Sequence, residues 1–336
     1  MQHQTRCNAR FYFTWLTCTA VCSLFYALIV FLALANKEIL PNDTIPSAIP
    51  YIAIPSLYNV TLNFNTTETK GNLTYTGIVL MHFTPITQVD RLFVNKGSQL
   101  KITMAYLIDP MKRYPVKIAA YDANYEIQAF ICPFNLTMQQ NYTLGMEFIG
   151  RLNDNGLRQV KYDDENSDNR YAISFGNQKI YQKGLRYVFP CLDTRDYPAL
   201  LSAVILHSST LRVLSNYSPI TVQMTELQSQ SFIVTSSPQQ PSQFTFALTA
   251  LQPQISQYQN ITISAYYRRN VLSEVYIPRQ TQLMDAMSLR IGKLDVIVLP
   301  SITTVHRPGI SLVNEDEAIQ DVEARDDYPS KDYQKM

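Results

Sequence analysis

YNVTLNFN, residues 58–65, alternates without a break: Tyr58, Val60, Leu62 and Phe64 fall on one side, Asn59, Thr61, Asn63 and Asn65 on the other. A period of two belongs to a strand with one face in a core and one in solvent, so the apolar set points inward and Asn59 and Asn65 point outward. The same period recurs in YTLGMEFIG (142–150), ITVQMTEL (220–227), FTFALTAL (244–251) and NITISAYYR (260–268). Turn signals separate these runs and few long helical windows intervene from about Pro46 to Arg268, which predicts an all-β sandwich or saddle. Composition agrees: 46% of the 336 residues are hydrophobic, 16% are charged and 22 are Tyr. Such a chain can bury a β-rich core.

Outward from this β region, the first forty residues set the compartment. Phe11 to Ala35, FYFTWLTCTAVCSLFYALIVFLALA, holds no charged residue and is long enough to span a bilayer as a helix. Arg6 and Arg10 precede it, while Lys37 and Glu38 cancel behind it. The short basic flank therefore stays in the cytoplasm and the rest lies outside, a single-pass type II arrangement at the plasma membrane. Secretion after cleavage near Ala35 is the alternative, because Ala33-Leu34-Ala35 has small-x-small spacing; the length of the run favours a retained signal anchor.

Eight Asn-x-Ser/Thr sequons follow the span and none precedes it: Asn42, Asn59, Asn65, Asn72, Asn135, Asn141, Asn216 and Asn260. Their one-sided distribution supports the same topology and predicts a glycoprotein. Of five Cys, only Cys132 and Cys191 lie beyond the span, so either one bridge or two free thiols is available and no disulfide framework is. A net charge of +1 argues against a nucleic-acid partner.

Near residue 270 the character changes. IPRQTQLMDAMSLRIG (277–292) reads as a short helix, and KLDVIVLP (293–300) as a strand buried on both faces of a mixed sheet. From Glu315 the chain is acidic and poor in large apolar residues, the composition of a disordered tail. The expected organisation is a cytoplasmic tail (1–10), span (11–35), stalk (36–50), β domain (51–268), the start of a second, α/β domain (269–314) and acidic tail (315–336). Asp163, Asp164 and Glu165, with Asn166, Ser167 and Asp168, read as a solvated loop.

GLRYVFPCLDTRDYPALLSAVILHSSTLRVLSN, Gly184 to Asn216, resembles a segment of the aminopeptidase N-type (gluzincin) zinc metallopeptidases. Arg186, Phe189-Pro190-Cys191, Asp193, His207, Leu211 and Leu214-Ser215-Asn216 carry the likeness. YNVTLNF with LTYTGIVLMHF resembles that family's opening hairpin, and KLDVIVLP the strand leading to its exopeptidase loop. The resemblance covers about residues 50–314 and implies a β-saddle followed by the start of a thermolysin-like domain.

It also implies a zinc site, which this sequence does not supply. The family holds zinc through H-E-x-x-H, two ligands one helical turn apart with a Glu to activate water. Here His3, His82, His207 and His306 are the only histidines and none is followed by Glu. The family's G-A-M-E-N loop, whose Glu grips the substrate amine, aligns with Thr303-Thr304-Val305-His306-Arg307-Pro308-Gly309, and its upstream Gln or Glu pair with Lys179 and Tyr181. Lys179 and Arg307 would repel an ammonium group. No nucleophile elbow, Walker A loop, dinucleotide fingerprint or CxxC pair is present. The expectation is no catalytic residue, no metal ligand and no cofactor: a cell-surface pseudoenzyme that binds a peptide or protein. Its alternatives are a truncated product or gene-model fragment of an active aminopeptidase, or a partner that forms a homodimer or pairs with a complete aminopeptidase.

The topology makes a direct prediction: N-terminal sequencing of the mature protein should find residues 11–35 retained. A mature chain starting at Asn36 would make it a secreted protein instead.

Overall fold

A computed structural model describes residues 45–64, 74–152, 156–164, 167–175, 184–258, 261–267, 293–300, 302 and 304–316. All fall in one compact unit that begins at Ile45. The expected span, the helix at 277–292, Lys179, Tyr181 and the sequons Asn42, Asn65, Asn72 and Asn260 lie outside the described residues. Among the described residues no helix is long and apolar enough to cross a membrane.

The fold is mainly β. In chain order the strands are β1 (Ala53–Asn63), β2 (Thr74–Pro85), β3 (Val89–Asn95), β4 (Leu100–Ile108), β5 (Arg113–Pro115), β6 (Lys117–Asp122), β7 (Ile127–Leu136) and β8 (Tyr142–Arg151). Next come β9 (Leu157–Asp164), β10 (Ser167–Phe175), β11 (Leu200–Ser208), β12 (Arg212–Ser215), β13 (Ile220–Gln223), β14 (Gln228–Val234) and β15 (Phe246–Thr249). The last are β16 (Pro253–Tyr258), β17 (Ile261–Tyr266), β18 (Lys293–Leu299), β19 (Val305–Arg307) and β20 (Ile310–Asn314).

The alternating runs become the largest sheet, ordered β13-β14-β11-β1-β2-β8-β4-β5. Its opening hairpin pairs β1 with β2, and β11 closes against β1 in parallel, Leu57 opposite Leu200 through Asn63 opposite Leu206. Tyr58, Val60 and Leu62 are buried as their alternation predicts. They join Phe83, Leu144, Phe148 and Ile205 in one core, which is completed by Leu92 and Phe130 of the β3-β7-β6 sheet and by Val213, Phe246 and Leu248 of the β12-β15-β10-β9 sheet.

That four-stranded sheet is covered on both sides. Leu214 and Ala247 turn the other way, into a second core with Tyr266, Ile297, Leu299 and Leu312. β15 is accordingly buried at every position, so FTFALTAL is a central strand rather than a half-exposed one. The second core belongs to the mixed sheet β16-β17-β18-β20-β19, in which β18 runs parallel to both neighbours. Val296 and Val298 of β18 fill a third cluster on its opposite face, which is why KLDVIVLP reads as a continuous apolar run. This sheet joins strands from both sides of the boundary expected at residue 268.

Three local expectations are corrected. β13 alternates in sequence, yet all four of its residues are exposed, Ile220 at 70%, because it is the outermost strand of its sheet. Asp163, Asp164, Ser167 and Asp168 are the ends of a β9–β10 hairpin rather than loop, with Ser167 opposite Asp164. Glu315, first acid of the expected tail, is buried.

His207 on β11 has no exposed surface. Its Nδ1–H donates to Ser208 O at 2.8 Å, which leaves Nε2 to accept from Ser231 Oγ at 2.9 Å, with Thr221 Oγ1 a further 2.8 Å along. On the solvent face of the same sheet, Asn59 Nδ2 donates to His82 Nε2 at 3.0 Å, and His82 Nδ1–H donates to Thr143 Oγ1 at 2.8 Å. Burial lowers the pKa of both histidines. The fold therefore favours neutral rings, a contribution present above the ordinary value of about 6.5 and lost as pH falls through the lowered folded value. The melting temperature should fall between about pH 7 and pH 5, and His207→Gln should make that slope shallower. Parallel pH profiles for the two proteins would show that His207 carries no such linkage.

Candidate functional site

Residues 184–193 form an irregular segment held by a dense set of hydrogen bonds. They leave the sheets as a single 3-10 turn, Leu185–Tyr187, and plug into the end of the core. Arg186 organises the segment. Its backbone N–H and Nε both donate to Asp193 Oδ2, at 3.3 and 3.1 Å, and its Nη2 donates to Asp193 O at 3.0 Å. Its Nη1 reaches Glu126 Oε2 at 3.3 Å, and Tyr187 Oη donates to the other Glu126 oxygen at 2.5 Å.

The three charged groups are nearly solvent-free, with side-chain exposures of 6% for Arg186, 15% for Glu126 and 1% for Asp193. Burial pushes the Asp193 carboxyl up, and the Arg186 guanidinium restrains that rise. Lys96 adds a second buried cation beside them. Its Nζ donates to Leu100 O at 2.9 Å and sits 3.6 Å above the Tyr121 ring, whose hydroxyl donates to Lys96 O. Burial pushes the Lys96 ammonium down to about 8.

Neutral groups fix the rest of the segment to the sheets. Asn95, at the end of β3, exchanges backbone hydrogen bonds with Cys191 at 2.8 and 3.1 Å, and its Oδ1 accepts from Asp193 N–H at 3.0 Å. From the core of β1, Tyr58 Oη accepts the Leu192 N–H at 3.0 Å. From β2, Tyr75 Oη donates to Val188 O at 2.7 Å. The Tyr75 ring reaches that carbonyl by lying across Gly150, where a Cβ would stand 2.2 Å from the ring. Phe189 is buried against Tyr58, with ring centroids 6.3 Å apart.

The structure thus brings together Arg186, Phe189, Pro190, Cys191 and Asp193. It places Leu214, Ser215 and Asn216 elsewhere, at the seam between the four- and five-stranded sheets. Ser215 is fully buried and its Oγ donates to Thr245 O at 2.9 Å. Lys293 Nζ caps Ser215 O at 2.8 Å and Asp295 Oδ2 at 2.9 Å, and burial raises the Asp295 carboxyl. Sequence reading missed Glu126, Tyr187, Asn95 and Lys96. Glu126 holds a left-handed backbone, φ 57°, in the turn between β6 and β7, and nothing local marks it as a partner of Arg186.

The three described histidines do not converge. His82 and His207 occupy opposite faces of the large sheet, and His306 Nδ1 lies 3.1 Å from Ser311 Oγ within the β19–β20 hairpin. Val305–Arg307 is strand, and Gly309 turns the chain with φ 82°. Among the described residues no three His, Cys, Asp or Glu side chains are placed to hold a metal. Cys132 and Cys191 are both buried free thiols, and burial raises each pKa, that of Cys132 to about 12. Neither has the electropositive, exposed setting of a reactive thiol. The chemistry available at residues 184–193 is that of a structural clamp.

The sequence profile of the peptidase M1 N-terminal domain matches residues 54–244, more than half of the chain, and the protein belongs to that family. The match spans the opening hairpin, the clamp and Leu214-Ser215-Asn216. No curated protein matches the chain.

Removing Arg186 while leaving two buried carboxylates should be severe. Arg186→Met should destabilise the domain by about 3–5 kcal/mol in chemical denaturation, the scale for breaking a buried ion pair from one side. A loss below about 1 kcal/mol would mean that Glu126 and Asp193 find other partners.

Proposed function

We propose that this protein is a membrane-anchored, glycosylated, non-catalytic relative of aminopeptidase N that presents its β domain at the cell surface to bind a peptide or protein without cleaving it. One observation carries the reading: Thr303-Thr304-Val305-His306-Arg307-Pro308-Gly309, the stretch that resembles the family's exopeptidase loop, holds no carboxylate and does hold Arg307, and its Val305–Arg307 is a strand. A free α-amine would find no carboxylate in that stretch to form an ion pair. Aminopeptidase chemistry further needs a zinc-bound water and a general base. The four histidines of this sequence provide no H-E-x-x-H.

Loss of the amine anchor need not empty the surface of function. A β domain of this family offers a large sheet face and a stable core on which binding residues can change. Such a module fits the type II topology, which places the β domain outside the cell.

The purified extracellular portion, residues 36–336, should contain no stoichiometric zinc by elemental analysis and release no amino acid from N-terminal-residue reporter substrates. Stoichiometric zinc with chelator-sensitive turnover, in a preparation free of contaminating aminopeptidase, would overturn the proposal.

A further inference from the structure

Asn135, Asn141 and Asn216, three of the four sequons in the described part of the chain, are not equivalent once their amides are placed. Asn135, near the end of β7, and Asn141, just before β8, are exposed. Thr84 Oγ1 donates to Asn141 Oδ1 at 2.7 Å, which steadies that amide through its oxygen and leaves its nitrogen pointing away from the contact. Asn216 is engaged at both ends. Its Oδ1 accepts from Thr245 N–H at 2.9 Å and its Nδ2 donates to Gln243 O at 3.1 Å, while its backbone N–H donates to Thr245 O at 3.2 Å.

The geometry of the amide makes these two side-chain bonds decisive. Oxygen and nitrogen both turn toward the same stretch, residues 243–245, so the Nδ2 hydrogen that reaches Gln243 is the one cis to Oδ1. An N-linked sugar keeps a secondary amide in its trans form, with the sugar carbon cis to the oxygen. The sugar would therefore stand where the Gln243 contact is made. The acceptor sequence is also poor: Asn216-Tyr217-Ser218 is followed by Pro219, which restricts the backbone of Ser218.

We infer that Asn135 and Asn141 are N-glycosylation sites and that in the folded protein Asn216 is a bare structural amide, locking the end of β12 to the start of β15. This rests on the extracellular placement of the β domain. Because glycans are added before folding, a chain modified at Asn216 loses this lock and is selected against among folded molecules. The bare Asn216 also leaves the adjoining strand β13 without a sugar shield.

The test uses the full chain expressed in cells with a secretory pathway, with site occupancy read by mass spectrometry after enzymatic deglycosylation in heavy-oxygen water. Asn135 and Asn141 should be occupied and Asn216 should not. Ser218→Ala, which destroys the sequon and keeps the amide, should leave the glycan mass and the melting temperature unchanged. Asn216→Gln should lower the melting temperature or prevent secretion-pathway exit. Occupied Asn216 in folded protein, or a glycan lost in Ser218→Ala, overturns the inference, as do bare Asn135 and Asn141 on a chain modified elsewhere. A chain bare at every sequon would instead refute the extracellular placement, and the inference with it.

Discussion

The contact on which the rest of the β domain depends is the buried pairing of Arg186 with Asp193 and Glu126. Two carboxylates at this depth are tolerable because one planar guanidinium serves both, with the Arg186 backbone N–H adding a donor to Asp193 Oδ2 and the Tyr187 hydroxyl one to Glu126, while Asp193 Oδ1 has no hydrogen-bond partner. The arrangement ties three parts of the chain that no sheet joins: the 3-10 turn, the approach to β11 and the turn between β6 and β7. Tyr58, Tyr75 and Asn95 then extend the same fixation into β1, β2 and β3.

Strands were legible in the sequence wherever one face meets a core and the other meets water, because alternation then records burial directly. Tyr58, Val60 and Leu62 are the clearest case. Legibility failed where the number of covered faces departs from one. β15 alternates but is buried on both sides, and β13 alternates but is open on both, since local sequence encodes two faces and says nothing of the layers stacked against them. The clamp was half visible: Arg186, Phe189, Pro190, Cys191 and Asp193 lie close together in sequence and stood out as a group. Glu126 did not, being sixty residues away from Arg186 and held by a turn whose conformation no neighbouring residue announces.

The seam at Ser215 qualifies the idea of a β domain with a separate second domain appended. β18 pairs with β17, and Leu299 and Leu312 pack with Leu214 and Ala247, so residues 293–314 complete the packing of strands that precede them. Without them, the outer face of the four-stranded sheet would present apolar surface to solvent. The change in composition near residue 270 thus falls within a single five-stranded sheet, with β16 and β17 before it and β18, β19 and β20 after it.

The parallel pairing of β1 with β11 imposes an order on folding. β1 forms its hairpin with β2 early, since the two are near neighbours, but its other edge waits for residues 200–206. At a synthesis rate of about 5–20 residues per second, that wait lasts on the order of ten seconds. Throughout it the nascent chain carries an unpaired, Val- and Leu-bearing strand edge. Closing so long a loop is entropically slow, and the edge is a natural place for a chaperone to hold or for two nascent chains to pair wrongly.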